Sequence, residues 1–182
     1  MKPPVGIIVG SNRRASINRR LAKALANLVS ERLDLHWIAI DGLPMYNQDL
    51  EGMRPDVVNR FTAEIAAMVG LLFVTPEHNR SVPAVLKNAI DWGSKPTDRN
   101  VWRGKVAAIT GTSFGAIGTA VGQQHLRQIL GILGVLVMGG EAYISFSPDP
   151  VDEDGHFLDA SKRAFCEAYM NRFVDLVMRF VP

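Results

Sequence analysis

A three-layer α/β fold, a parallel sheet covered by helices on both faces, is what this sequence predicts. Three observations point to it. Short apolar runs alternate with longer amphipathic stretches along the chain. The run at residues 70–75 is apolar enough for a strand buried on both faces. The first and third strand-to-helix connections are polar loops, as expected where a ligand crevice opens at the sheet's carboxyl edge.

Residues 5–9 read as strand one. Helix one runs from Ser16 to about Leu33, with Ile17, Leu21, Leu25 and Leu28 on one face. Strand two is expected at residues 35–40. Residues 41–49 are too rich in turn residues for either regular element. Helix two covers 55–68, strand three 70–75, and helix three 82–92. Pro83 falls in the first turn of helix three, where a missing N–H costs little. Strand four is 105–110. A glycine-rich segment, 111–122, leads into helix four, which carries Leu126, Ile129, Leu130 and Leu133. Gly134 ends it, and residues 135–138 open strand five. Residues 146–155 are polar and turn-rich. The last helix shows one stripe of Phe165, Tyr169, Phe173, Leu176, Val177 and Phe180. In a five-stranded order 2-1-3-4-5, the winding reverses between strands one and three, and a ligand is expected there.

A length of 182 residues suits one domain, residues 1–182, and no repeat or linker divides it. Apolar content of 47% and charged content of 21% exclude wholesale disorder. No apolar stretch approaches the roughly 20 residues of a membrane-spanning helix. The opening Met1-Lys2-Pro3-Pro4 runs into only a short apolar segment, too short for a signal-peptide core, so the cytoplasm is the expected location. One cysteine, Cys166, excludes an internal disulfide; with four scattered histidines it argues against structural zinc. A net charge of +2 does not suggest nucleic-acid binding. Arg13, Arg14, Arg19 and Arg20 nevertheless cluster, either around a phosphate or on a solvated helix face.

Strand one ends in Gly10-Ser11-Asn12-Arg13-Arg14-Ala15-Ser16-Ile17-Asn18. This is neither G-x-G-x-x-G nor the P-loop pattern. It still holds the parts for one compact phosphate. Ser11 and Ser16 bring hydroxyls, Asn18 an amide, Arg13 a planar fork, and the helix start its N–H groups and dipole. Ser16 alone reads better as a plain N-cap, and the strand–loop–helix context of the whole stretch turns the reading toward a phosphate. Strand three ends in Thr75-Pro76-Glu77-His78-Asn79-Arg80-Ser81-Val82-Pro83. Two prolines stiffen this loop, so it can present main-chain groups to the edge of a flat heterocycle at little ordering cost. Lys87 and Asp91 are read as a surface ion pair. Trp37, Trp92 and Trp102 are read as packing residues or the wall of a shallow site.

Taken together, Gly10-Ser11-x-Arg13-x-x-Ser16-x-Asn18, Pro76-Glu77-x-Asn79-x-Ser81-x-Pro83 and Leu86-Lys87-Asn88-Ala89-Ile90-Asp91-Trp92 resemble the NAD(P)H-dependent FMN reductase family, which includes bacterial quinone and chromate reductases. The likeness extends over Leu43-Pro44-x-Tyr46-Asn47-x-Asp49-Leu50-Glu51 and His125-Leu126-Arg127-Gln128-Ile129-Leu130. It implies a flavodoxin-like sandwich and an oxidoreductase that passes electrons from NADPH or NADH through FMN to quinones, flavins or metal oxyanions. It further implies FMN phosphate at Ser11, Arg13, Ser16, Ile17 and Asn18. The ring would lie along Pro76, Glu77, His78, Asn79, Arg80 and Ser81, closed by Thr112, Ser113 and Gly115. Family members are commonly homodimers or homotetramers. A tyrosine usually stands where this chain has His78, and an aromatic or small residue where it has Arg80. Val121 and Gln124 replace the family's Arg and Tyr. Arg80 and Arg13 are the candidates for docking a nicotinamide phosphate.

Two other readings compete. Gly111-Thr112-Ser113-Phe114-Gly115 is a literal G-x-S-x-G, the pattern of a nucleophile elbow. A serine hydrolase would pair Ser113 with Asp149 or Asp152 and His156, but these candidates crowd into one loop. A flavin carrier without turnover would suit a strongly acidic surface better than a pI near 8.9.

Overall fold

The computed structural model describes residues 1–181. In chain order these form β1 (Pro4–Val9), α1 (Ile17–Val29), β2 (Asp34–Trp37), α2 (Asp56–Ala67), β3 (Gly70–Val74), α3 (Ala84–Ser94), β4 (Val106–Ser113), α4 (Ala120–Ile132), β5 (Leu136–Val137), β6 (Ala142–Ser145) and α5 (Ala160–Met178). The sheet order is β2-β1-β3-β4-β5, with β6 also on β4, and every pairing is parallel. The fold class and strand order therefore match expectation.

Period-two alternation divides the core. Leu72 and Val74 of β3 pack on one side with Leu21 and Leu25 of α1 and Met170 and Phe173 of α5. Leu71 and Phe73 face the other way, toward Phe61 and Ile65 of α2, Ile90 of α3 and Leu126 of α4. Strand residues with apolar partners on both faces are what a doubly covered parallel sheet requires.

Helix one ends at Val29, short of Leu33, helix three is shifted to Ala84–Ser94, and three strands differ from expectation. β2 stops at Trp37 instead of continuing to residue 40. It lies at the sheet edge with one neighbour, and its last bond to β1 runs from the Ile38 N–H to the Ile7 carbonyl (3.0 Å). Ile38 and Ile40 then turn into the α2-side core. β4 is longer than expected, because β6 supplies a ladder for Gly111, Thr112 and Ser113. The fifth strand is cut in two by residues 138–141. Arg127 holds the cut open, donating to the carbonyls of Met138 (2.9 Å) and Gly140 (3.0 Å).

At that cut β4 loses one rung, and a side chain replaces it. The Tyr169 hydroxyl donates to the Ile109 carbonyl (2.7 Å) and accepts from the Ile109 N–H (3.1 Å). Lys105, just before β4, is buried without a carboxylate. Its ammonium donates to the Ala66 (3.2 Å) and Met68 (2.5 Å) carbonyls at the end of α2, where the helix dipole favours a cation. Burial lowers its pKa.

Candidate functional site

Close packing of three strand ends builds the site's floor. A Cβ on Gly10 would lie 2.4 Å from Thr75 Oγ1, and one on Gly111 would lie 1.9 Å from the Thr75 carbonyl oxygen. Only glycine permits backbones to meet so closely. The loops after β1, β3 and β4 therefore rise side by side from one rim.

Residues 11–18 form a cradle of unclaimed donors. Ser16 caps α1, its Oγ accepting from the Arg19 N–H (3.3 Å). Ser11 Oγ accepts from the Arg13 N–H (3.4 Å). Neither hydroxyl donates to a protein group among the described residues. The N–H groups of Asn12, Arg14, Ala15, Ser16, Ile17 and Asn18 have no acceptor among the described residues. The Arg13 guanidinium is exposed and has no partner there, and the first turn of α1 holds no acid. So many donors without a carboxylate suit a small dianion.

Asn18 behaves differently from the expected phosphate ligand. Its amide donates to the Thr112 carbonyl and accepts from the Thr112 N–H, both at 2.9 Å, and the residue is 2% exposed. β3 ends opposite Thr110, so the Thr112 rung has no strand beside it. Asn18 fills that rung and ties the first loop to the fourth. Its own backbone N–H still faces the cradle. Ile17 is half-buried and packs beside Phe146 and Val151.

The third loop is a tight two-residue hairpin. His78 and Ser81 exchange main-chain hydrogen bonds (3.0 and 2.9 Å) around Asn79 and Arg80, which have φ of 51° and 63°. Positive φ at both central positions defines a type I′ turn. Asparagine tolerates it; arginine is strained there by about 1–2 kcal/mol. Glu77 anchors the turn: its carboxylate accepts from the Gly122 N–H (2.9 Å) and the Arg80 guanidinium (3.2 Å). α4 has no side-chain cap of its own, so Glu77 supplies one from another loop. The N–H groups of Glu77, Asn79 and Arg80 have no acceptor among the described residues. His125 Nδ1 lies 3.1 Å from Ser81 Oγ. Pro76 leads in from buried Thr75.

In the fourth loop, Thr112 is buried and its hydroxyl donates to the Ile144 carbonyl (2.7 Å). Ser113 donates to the Gly118 carbonyl (2.7 Å) and accepts from the Gly115 N–H (3.2 Å). A Cβ on Gly115 would meet only Ser113 Oγ, at 3.6 Å, an ordinary van der Waals contact. Phe114 and Ile117, which the sequence reading passed over, form an exposed apolar lip, with Phe114 edge-on to Phe146. Their signal was two large apolar residues in a glycine-rich loop.

Ser113 does not sit on an elbow. An elbow places its serine on the strand-to-helix turn, whereas Ser113 is within β4, paired with Ser145, and α4 begins at Ala120. Asp152 and His156 pair with each other (3.0 Å) in an exposed loop. Hydrogen bonding to His156 keeps the Asp152 carboxyl below its usual range.

The loop at 43–46 is pinned by α3. Asn88 accepts from the Tyr46 N–H (2.7 Å) and donates to the Pro44 carbonyl (2.9 Å), which also receives the Trp92 indole (2.7 Å). The Tyr46 hydroxyl donates to Glu51 (2.5 Å), and that bond pushes its pKa up to about 12.

A 2-1-3-4-5 sheet with an anion cradle between its first and third strand ends defines a flavodoxin-like mononucleotide-binding protein. Within that class, the chain belongs to the NADPH-dependent FMN reductase family, whose model matches residues 3–149. It is 43% identical to a 2-hydroxy-1,4-benzoquinone reductase of Burkholderia sp over 170 residues, covering 93% of each chain. It is 42% identical to a quinone reductase of Pseudomonas putida, covering 95% of this chain and 94% of that one. The solved structure of FerB, a flavoenzyme NAD(P)H:(acceptor) oxidoreductase from Paracoccus denitrificans, superposes with a TM-score of 0.94 at 38% identity over 98% of each chain. A flavodoxin from Pseudomonas aeruginosa shares the fold, with a TM-score of 0.60 at 17% identity over 96% of this chain and 99% of that one. The protein is thus an oxidoreductase whose cofactors are FMN and NAD(P)H.

Proposed function

We propose that the protein takes electrons from NAD(P)H and delivers them to quinones, with free flavins and metal oxyanions as further acceptors. The observation that carries this is the first loop, with two serine hydroxyls, a guanidinium and a run of free N–H groups, and no acid in the first turn of α1. The names of the relatives at about 42% identity support the choice of acceptor. FMN supplies the hydride-accepting and electron-donating chemistry. Ser11, Arg13, Ser16 and the N–H of Ile17 and Asn18 would hold its phosphate. The N–H groups of Glu77, Asn79 and Arg80 would meet the ring edge, where donors favour added negative charge. Phe114 and Ile117 would shield that edge from water. No protein nucleophile is required, in keeping with a Ser113 engaged by its own loop. Family resemblance alone supports a homodimer or homotetramer and a cytoplasmic setting.

The test is optical. Purified protein is expected to be yellow, to bleach with NADPH without air, and to regain colour with a quinone. Arg13→Ala is expected to weaken FMN binding roughly 10–100-fold, the worth of a hydrogen bond to a charged group. Protein that takes up no FMN in a titration, or an Arg13→Ala variant that binds it as tightly, would overturn the assignment.

A further inference from the structure

We propose that the groove between α1 and the β2 edge binds the adenosine 2′-phosphate half of NADPH, with Trp37 as its stacking face and Arg14 and Arg19 as its phosphate donors. The proposal rests on the reductase reading and adds to it a physical reason to prefer NADPH over NADH.

The groove encloses about 790 Å³ and is walled by Arg14, Arg19, Arg20, Lys23, Trp37 and Glu153. A smaller cleft shares Arg19 and Trp37 and reaches Ser11 and Asn12. The two clefts therefore adjoin at Arg19 and Trp37, beside the phosphate cradle.

Trp37 is unlike the other two tryptophans. Trp92 and Trp102 are fully buried, whereas Trp37 is 47% exposed on an edge strand with no strand beyond it. An uncovered indole costs burial free energy and offers a flat face for a planar base.

The charges around it divide into engaged and free. Arg20 pairs with Asp149 (3.4 Å), donates to the Val151 carbonyl and lies over the Phe146 ring at 5.0 Å. Lys23 pairs with Asp154 (3.4 Å). Arg14 and Arg19 are exposed and make no ion pair or side-chain hydrogen bond among the described residues. Guanidinium forks match phosphate in shape as well as charge. An arginine near the ribose is a general solution for accepting a 2′-phosphate. A bare phosphate would leave Trp37 without a role, and nucleic acid would demand a longer basic stripe than a chain of net charge +2 provides. Arg80, one of the sequence's two candidates for this docking with Arg13, is tethered to Glu77 at a turn tip instead.

The experiment uses FMN-loaded protein and has two arms. In the first, acrylamide quenching of tryptophan fluorescence is measured with 2′,5′-ADP or 5′-AMP added. Only Trp37 is accessible, so quenching reports it, and Trp37→Phe serves as the blank. Shielding by 2′,5′-ADP at concentrations about tenfold lower than 5′-AMP is expected. In the second arm, Arg19→Ala is expected to raise KM for NADPH about tenfold or more and to leave KM for NADH within twofold, with FMN retained. Absence of shielding, equal effects on both nucleotides, or loss of FMN from Arg19→Ala each overturns the proposal. So does a rise in KM for NADPH in Arg80→Ala but not in Arg19→Ala. The quenching arm needs no turnover, so it fails separately from the reductase reading.

Discussion

Replacing Asn18 with leucine separates two roles for the same side chain. The amide exchanges two 2.9 Å hydrogen bonds with the Thr112 peptide group, at a position 2% exposed. Leucine keeps the same heavy-atom branching and is the bulkier side chain, so no cavity opens. The Thr112 N–H and carbonyl would lose partners where water does not reach, at about 1–3 kcal/mol each. Allowing for relaxation, about 2–4 kcal/mol is lost for the pair. For a chain of this length each kcal/mol moves Tm by about 2–4 °C. A fall of roughly 4–16 °C is therefore expected, the same with and without FMN, by thermal melts and urea unfolding. A loss below about 0.5 kcal/mol in the FMN-free protein, together with a tenfold drop in FMN affinity, would refute this: the amide would then be a ligand to the phosphate and not a staple.

Tyr169→Phe removes the hydroxyl that stands in for a ladder rung at Ile109, and should also cost about 2–4 kcal/mol in urea unfolding. Burial pushes this phenol from 10.0 to about 12. The folded state therefore keeps a proton that the unfolded state loses, so the group's contribution is complete below pH 10 and is lost as pH rises toward 12. Stability curves over that range should slope downward less steeply in the variant. Glu77→Ala should cost about 1–2 kcal/mol by the same measurement, through loss of the cap at Gly122, while Glu77→Gln, which can still accept that N–H, should recover more than half.

The layered fold was legible because burial imposes periodicity: Leu71 to Val74 had to face apolar neighbours on both sides, and the stripe on α5 had to meet the sheet. Loop chemistry was legible where residue type limits geometry, as with the prolines around the third turn. The role of Asn18 was not, since an amide serves an anion and a peptide group equally well, and the choice depends on where β3 ends. The cut in the fifth strand was equally hidden. Residues 135–138 read as the opening of strand five, and nothing local announces that Tyr169, far along the chain, would complete the ladder. Trp37 could not be told apart from Trp92 and Trp102, as packing or as the wall of a shallow site, because its exposure is set by an edge that only the strand order reveals.

The hydroxyl bridge at Ile109 bears on how such a chain can change. Since β4 is satisfied at that level by a helix residue, residues 139–141 carry no main-chain hydrogen bond to the sheet among the described residues, the last one before them being Met138 N–H to the Ala107 carbonyl. New segments inserted there would lengthen an outer loop without disturbing either half of the strand. The fold thus carries a built-in point of growth, well removed in sequence from the cradle at residues 11–18.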